Sequence, residues 1–377
     1  MFTTKKIAIV SVINDLVTDN RVNRTCLTLV ECGYDVTLIG RLQSGSMAIP
    51  DWPFKTIRMN LILKSGPPFY LFFMLRLFFK LLFKKADLLY ANDLDTLLPN
   101  YLVSRIKALP LIYDSHELFC EVPELQNAHL KRRIWLSIES WVVPKLKYCV
   151  TVNDSIARVF TSKYKVIFTT VKNIADSPEK FIPKSRKELA LPLEKKIILL
   201  QGAGINIDRG AEELIESMQW VNNTLLLIIG SGDSWPFLKQ KIKEYDLEVK
   251  VKMINKIPTK DLMHYTYNAD LGMSIDKNTN LNYYYSLPNK IFDYLHAGIP
   301  VLASRLPEIE NIITNFEVGD FIETHDPLHI ATKINELLAS HHLLRYKGNT
   351  LQVKKELNWN NEKIKLMRVI KIAEEKS

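Results

Sequence analysis

Short apolar runs alternate with amphipathic stretches along the chain. Ile7–Val12, Val36–Ile39, Leu88–Tyr90, Leu111–Tyr113 and Val150–Val152 read as strands; Ile197–Leu200, Leu225–Ile229, Val249–Met253, Leu271–Ile275 and Val301–Ala303 read as a second set. Between them, Arg21–Cys32, Ala211–Trp220 and Trp235–Tyr245 repeat apolar residues at helical spacing. Such alternation predicts βαβ units and parallel sheets, an α/β fold that binds ligands outside the carboxyl ends of its strands. A polar stretch with weak periodicity, Asp176–Pro192, separates the two sets. A chain of 377 residues has room for two cores. The expected domains are 1–180 and 181–360, both Rossmann-like, with 361–377 a last helix that stays on the second domain or crosses back to the first.

Composition changes this picture in two respects. The net charge of +9 is lopsided, because the first 180 residues hold 24 Lys and Arg against 16 Asp and Glu. A basic first half fits an anionic partner, or simply solubility. Met1–Lys6 lacks the apolar run of a signal peptide, and Cys26, Cys32, Cys120 and Cys149 lack Cys-x-x-Cys spacing. Both point to a reduced, cytoplasmic protein without a cysteine metal site.

The candidate chemistry sits at predicted strand ends. The loop after the first strand, Asn14–Arg21, lacks the glycines that a nicotinamide dehydrogenase uses to approach pyrophosphate, and no Walker loop is present. Ser286-Leu287-Pro288-Asn289-Lys290 suits a helix start, and Gly298 with Pro300 suits its end. Free N–H groups there form an anion site, Lys290 adds charge, and Asp293, one turn on, can accept from ribose hydroxyls. The same residues also describe an ordinary capped helix. Gly202 and Gly204, in the turn after Ile197–Leu200, let backbone approach a ligand, and Arg209 can fork onto phosphate. Gly230 opens a third such turn. His116, after Leu111–Tyr113, is expected at the same kind of edge as a neutral imidazole for a sugar hydroxyl or a developing charge.

These residues, in this order, resemble the retaining GT-B glycosyltransferases of family 4. Leu287–Val301 looks like that family's nucleotide-binding signature, Gln201–Gly210 like its phosphate loop, Tyr113–Glu117 like its Asp-x-His-Glu motif, and Tyr267–Gly272 like its Ala-Asp strand. The resemblance implies two Rossmann-like domains facing a central cleft, and sugar transfer from a nucleotide diphosphate sugar to a glycan or lipid-linked acceptor, as in cell-surface polysaccharide synthesis. It implies that Arg209 and Lys290 hold the diphosphate, Asp293 the ribose, Lys256 and Ile257 the base, and His116 the donor sugar, with no metal and no further cofactor. Tyr285 stands where the family's first glutamate is expected, and Ser286-Leu287-Pro288 replaces its Gly-rich turn. On the acceptor side the candidates are Asp15, Asp19 and Arg21, with a solvated loop as the plain alternative.

One stretch points to a further partner. In residues 69–85, Arg76, Lys80 and Lys84 recur every four positions in a helix otherwise rich in Phe and Leu. The uncharged runs are too short to span a bilayer; an in-plane helix on an anionic membrane surface and a core helix both fit. The first would make the protein peripheral on the inner face of the cell membrane. Nucleic acid is not expected, since the aromatic residues are not interleaved with a basic stripe. A GT-B-shaped nucleotide-sugar epimerase, or a degenerate glycosyltransferase serving as a scaffold, fits the same motifs.

Overall fold

The computed structural model describes residues 5–63, 65–175 and 181–375. Asp176–Lys180, which include the end of the expected first domain, and the extreme amino terminus lie outside them. The chain divides into two compact units, one of residues 1–173 with 359–377 and the other Ile174–Asn358.

In the first unit the described residues form a seven-stranded parallel sheet. Its strands are β1 (Ile7–Ser11), β2 (Asp35–Arg41), β3 (Lys55–Met59), β4 (Leu88–Asn92), β5 (Leu111–Ser115), β6 (Tyr148–Thr151) and β7 (Phe168–Thr170), in spatial order β3-β2-β1-β4-β5-β6-β7. The helix Trp359–Glu375 belongs to this unit and buries Leu366, Ile370 and Ala373 with Val22, Leu29 and Tyr34. Arg24 covers the Trp359 ring at 5.1 Å, and Lys363 pairs with Glu31 at 3.0 Å.

The basic, Phe-rich stretch is the helix Gly66–Phe83. Phe69, Phe73, Leu77 and Leu81 are buried on one side. On the opposite side Leu71, Leu75, Phe79 and Phe83 are exposed by 62%, 48%, 52% and 81%. The helix therefore satisfies the core reading with one face and leaves an apolar face bare. Arg76 and Lys80 lie between the two faces, and Lys84 falls just past the helix end instead of on it. By length and composition this is a candidate membrane span, yet only 22% of it is buried, unlike a core helix.

The second unit repeats the plan. Its strands are β8 (Lys196–Gly202), β9 (Thr224–Gly230), β10 (Val251–Asn255), β11 (Leu271–Ser274), β12 (Val301–Ser304) and β13 (Gly319–Ile322), all parallel, in the order β10-β9-β8-β11-β12-β13. Each sheet begins with the 3-2-1-4-5-6 order of a doubly wound nucleotide-binding fold. The strands that hydropathy missed, β3, β7 and β13, lie at sheet ends. An edge strand is not packed on all sides, so it lacks the continuous apolar run that betrays a central one.

Candidate functional site

Strand order locates the site in the second unit. The order reverses between β8 and β11, and a doubly wound sheet binds ligands at that switch, beyond the strand carboxyl ends. The strands diverge there: β11 pairs with β8 only at Leu271↔Ile198 and Gly272↔Leu199. The buried Tyr294 phenol fills the gap, donating to Leu199 O at 3.0 Å and accepting from Gln201 N at 3.0 Å. A Cβ on Gly272 would lie 2.3 Å from the Tyr294 ring, so this glycine makes room for that strut.

The loops beyond the switch bring Arg209 and Lys290 onto one carboxylate. Arg209 Nη1 donates to Asp276 Oδ1 at 3.1 Å, and Lys290 Nζ lies 3.5 Å from Asp276 Oδ2. Asp276 is fully buried, two residues past the end of β11. The Arg209 guanidinium stacks on Tyr283 at 3.9 Å. Its Nε is buried with no acceptor among the described residues. A buried orphan donor beside a second cation is a site built to receive an acceptor, and phosphate oxygens suit it. Burial alone would raise the Asp276 carboxyl, but Lys290 and Arg209 outweigh it and hold it below the usual carboxylate range. Burial lowers the Lys290 ammonium; Asp276 opposes the shift, Arg209 adds to it, and the net position is below the usual lysine value.

The helix expected from Ser286 starts later, at Asn289, with Pro288 as its N-cap. Ser286 is not the cap: its hydroxyl donates to Tyr283 O at 2.8 Å. Pro288 offers no side-chain cap, so the first N–H groups of this helix, at Asn289 and Lys290, have no cap from it. Leu287 packs on the core below. Asp293 Oδ2 accepts from Gln201 Nε2 at 3.0 Å, and Gln201 Oε1 accepts from Thr266 Oγ1 at 2.8 Å. A cavity of about 50 Å³ opens beside them, lined among others by Leu262, Tyr267 and His296. Lys256 is exposed and Ile257 half-buried in the loop after β10.

The glycines divide differently from the sequence reading. At Gly202 and Gly204 a Cβ would meet nothing closer than 3.7 Å and 3.9 Å. Gly230, with φ +154°, would place its Cβ 1.8 Å from Gly202 O. Gly230 is therefore required by the protein's own backbone, because the first loop lies directly on the second.

In the first unit His116 lies just past β5 and is clamped by Asp93. Asp93 Oδ1 accepts from His116 N at 2.8 Å, and Asp93 Oδ2 lies 3.2 Å from Nδ1. Nε2 is 3.7 Å from Asp114 Oδ2 and has no hydrogen-bond partner among the described residues. Burial would lower the imidazole, but Asp93 and Asp114 outweigh it and hold it well above the usual histidine value. The two carboxylates thus favour the charged form of this imidazole over the neutral form expected from the sequence. Asp93, at φ +59°, was missed because it sits at the end of a different strand from the histidine.

The acceptor-side candidates all have partners within the first unit. Arg21 is 3% exposed and donates to Asp114 through Nε and Nη2 at 3.1 and 2.8 Å, and to Val171 O at 2.7 Å. Three of its five N–H groups are thus held inside the unit, and its work there is to neutralise a buried carboxylate. Asp15 is buried against Val17 N, the Ser46 hydroxyl and Arg58. Asp19 caps the helix Asn20–Glu31 by accepting from Val22 N at 3.2 Å. Sequence reasoning also missed Asp276, although its place just past a predicted strand was the available signal.

Comparisons with known proteins agree with the fold. The family model described as Glycosyltransferase Family 4 matches residues 19–174, and that described as Glycosyl transferases group 1 matches 181–350. No curated protein matches the chain. Among solved structures, sucrose-phosphate synthase from Thermosynechococcus elongatus has a TM-score of 0.82 at 18% identity, covering 99% of this chain and 100% of its own. HepE from Anabaena, solved with UDP and glucose, has a TM-score of 0.73 at 13% identity, covering 98% and 100%. WaaG, a glycosyltransferase involved in lipopolysaccharide biosynthesis, has a TM-score of 0.72 at 16% identity, covering 96% and 98%.

Proposed function

Because the chain belongs to the GT-B glycosyltransferases of family 4, we propose that it transfers a sugar, with retention and without a metal ion, from a nucleotide diphosphate sugar to a glycan or lipid-linked acceptor. The observation that carries this reading is the convergence of Arg209 and Lys290 on one carboxylate, with Arg209 Nε left as a buried donor. That UDP and glucose bind to HepE, a protein of this fold, supports a nucleotide sugar as donor.

In this reading the donor C1–O bond to the diphosphate breaks as a new C1–O bond forms to the acceptor hydroxyl. The hydroxyl proton passes to the departing phosphate oxygen. Negative charge grows on the diphosphate, where Arg209, Lys290 and the uncapped N–H groups at Asn289 and Lys290 stabilise it. Their donors are fixed before the reaction, so no reorganisation accompanies the charge transfer. Asp293, steadied by Gln201, accepts from the ribose hydroxyls, and Lys256 and Ile257 contact the base. His116, charged and clamped by Asp93, serves the donor sugar.

The acceptor reading rests on the helix Gly66–Phe83. Its bare face of Leu71, Leu75, Phe79 and Phe83, flanked by Arg76 and Lys80, suits an anionic leaflet in which the helix lies in the headgroup plane. The protein then works on the cytoplasmic face of the membrane, where a lipid-linked acceptor presents its glycan. Anionic vesicles should sediment the wild-type protein and lose it on adding salt, and Leu75→Glu with Phe79→Glu should abolish sedimentation without unfolding. Absence of wild-type sedimentation at low salt removes the membrane part.

A thermal-shift panel of UDP, GDP, CMP and ADP sugars tests the donor. A donor at 100 times its Kd adds about 2.7 kcal/mol. For a unit of this size that raises the Tm of its transition by roughly 5–10 °C. One nucleotide class should do so; no shift with any of them refutes the function.

A further inference from the structure

The Arg209–Lys290 pair poses an electrostatic problem that the protein solves with a residue outside every family motif in the chain. Two cations near one another in a buried setting repel, and a buried lysine answers by losing its proton. Asp276 stands between them and gives one oxygen to each, at 3.1 Å and 3.5 Å. The chain fixes this carboxylate firmly. Gly210, at φ +76°, packs so closely that a Cβ there would be 2.2 Å from Ile275 O. Lys277 N donates to Asp208 O at 2.8 Å, and Lys277 Nζ reaches Glu213 at 2.6 Å. The residues on both sides of Asp276 are thus latched to the loop that carries Arg209 and to the helix, Ala211–Ser217, that follows it.

We infer that Asp276 is a positioning residue for donor binding: its carboxylate sets the spacing of Arg209 and Lys290 and supplies the negative charge that keeps Lys290 cationic beside Arg209. This rests on the diphosphate reading of the site and deepens it. A diphosphate then meets two preset cations, and Asp276 prevents Lys290 from being discharged by its neighbour. The charged groups acting on Lys290 are Asp276 and Arg209. Tyr283, stacked on Arg209, and His325, whose Nε2 lies 3.0 Å from Ile275 O, are the other titratable neighbours of the cluster. Asp293 lies one turn further along the helix that carries Lys290.

The test is the pH dependence of UDP binding by calorimetry, which needs no acceptor. Wild type should hold its affinity into the alkaline range and lose it as Lys290 deprotonates. In Asp276→Asn that limb should move to lower pH by about one unit or more. The double variant Asp276→Asn, Lys290→Arg should recover affinity at high pH, because a guanidinium stays charged. A merely structural Asp276 would weaken binding equally at every pH, and that result, or an unmoved limb, overturns the inference. Should Asp276→Asn fail to fold, Asp276→Glu keeps the charge; it should weaken UDP while retaining the wild-type limb, and a displaced limb there also overturns the inference. If wild type binds no nucleoside diphosphate at all, the donor reading itself has failed, a result distinct from a bound UDP with an unshifted profile.

Discussion

Replacing Arg21 by methionine removes the partner of a carboxylate that has nowhere to go. Asp114 is fully buried and accepts from Arg21 Nε and Nη2 and from Tyr90 OH at 2.9 Å. Its remaining charged neighbour, His116 Nε2, is 3.7 Å away. Breaking a buried pair by deleting one member costs about 3–5 kcal/mol, since an uncompensated charge is left behind. For a unit of 150–250 residues, each kcal/mol moves Tm by roughly 2–4 °C, so the loss should be roughly 6–20 °C. Scanning calorimetry should show this fall in the first unit's transition, with UDP affinity of the second unit unchanged. Replacing both partners, as in Arg21→Met with Asp114→Leu, should recover much of it. The pH dependence gives an independent check. Burial alone would raise the Asp114 carboxyl, but Arg21 and His116 outweigh it and hold it well below the usual range. Its stabilising contribution is then present above the unfolded carboxylate value of about 3.9 and is lost only as pH falls through the lower folded value. The gap between wild type and Arg21→Met should be widest towards alkaline pH and narrow as pH falls, because the variant's buried, unpartnered Asp114 takes up its proton at a higher pH than the wild-type group does. A loss under 1 kcal/mol at pH 7 would refute the reasoning.

Gly230→Ala should destabilise the second unit by about 2–4 kcal/mol, from steric overlap with Gly202 O at an unfavourable φ. Gly204→Ala should change its stability by no more than about 0.5 kcal/mol, and urea titration of the two variants separates them. His116 should titrate by NMR well above the usual histidine value, and Asp93→Asn should bring it down. Because the folded value is the raised one, stability from the Asp93–His116 clamp is fully present below about pH 6.5 and is lost as pH rises through the folded value. Wild type and Asp93→Asn should therefore converge in Tm at alkaline pH.

The central strands were legible because they pack on both faces and leave continuous apolar runs, as Leu225–Ile229 does. Edge strands such as Lys55–Met59 alternate polar and apolar residues and escape that test. In the site, Arg209 and Lys290 could be paired through the family resemblance, whereas Asp276 belongs to no motif and comes to light only from its place past the end of β11, between the two cations. The burial of Arg21 was not legible because its partner, Asp114, lies far along the chain. The same blindness hid Asp93, at the end of another strand, which favours the charged form of His116. The helix Gly66–Phe83 was ambiguous in sequence because it has both an inward and an outward apolar face.

Calorimetric titration of UDP, or of whichever nucleoside diphosphate the sugar panel selects, into wild type, Arg209→Ala and Lys290→Ala bears most directly on the diphosphate site. Each truncation removes a charge-assisted donor worth about 1.5–3 kcal/mol, so affinity should fall roughly 10- to 150-fold in either variant while the protein stays folded. Binding within about twofold of wild type in both folded variants would contradict a diphosphate site at these two cations.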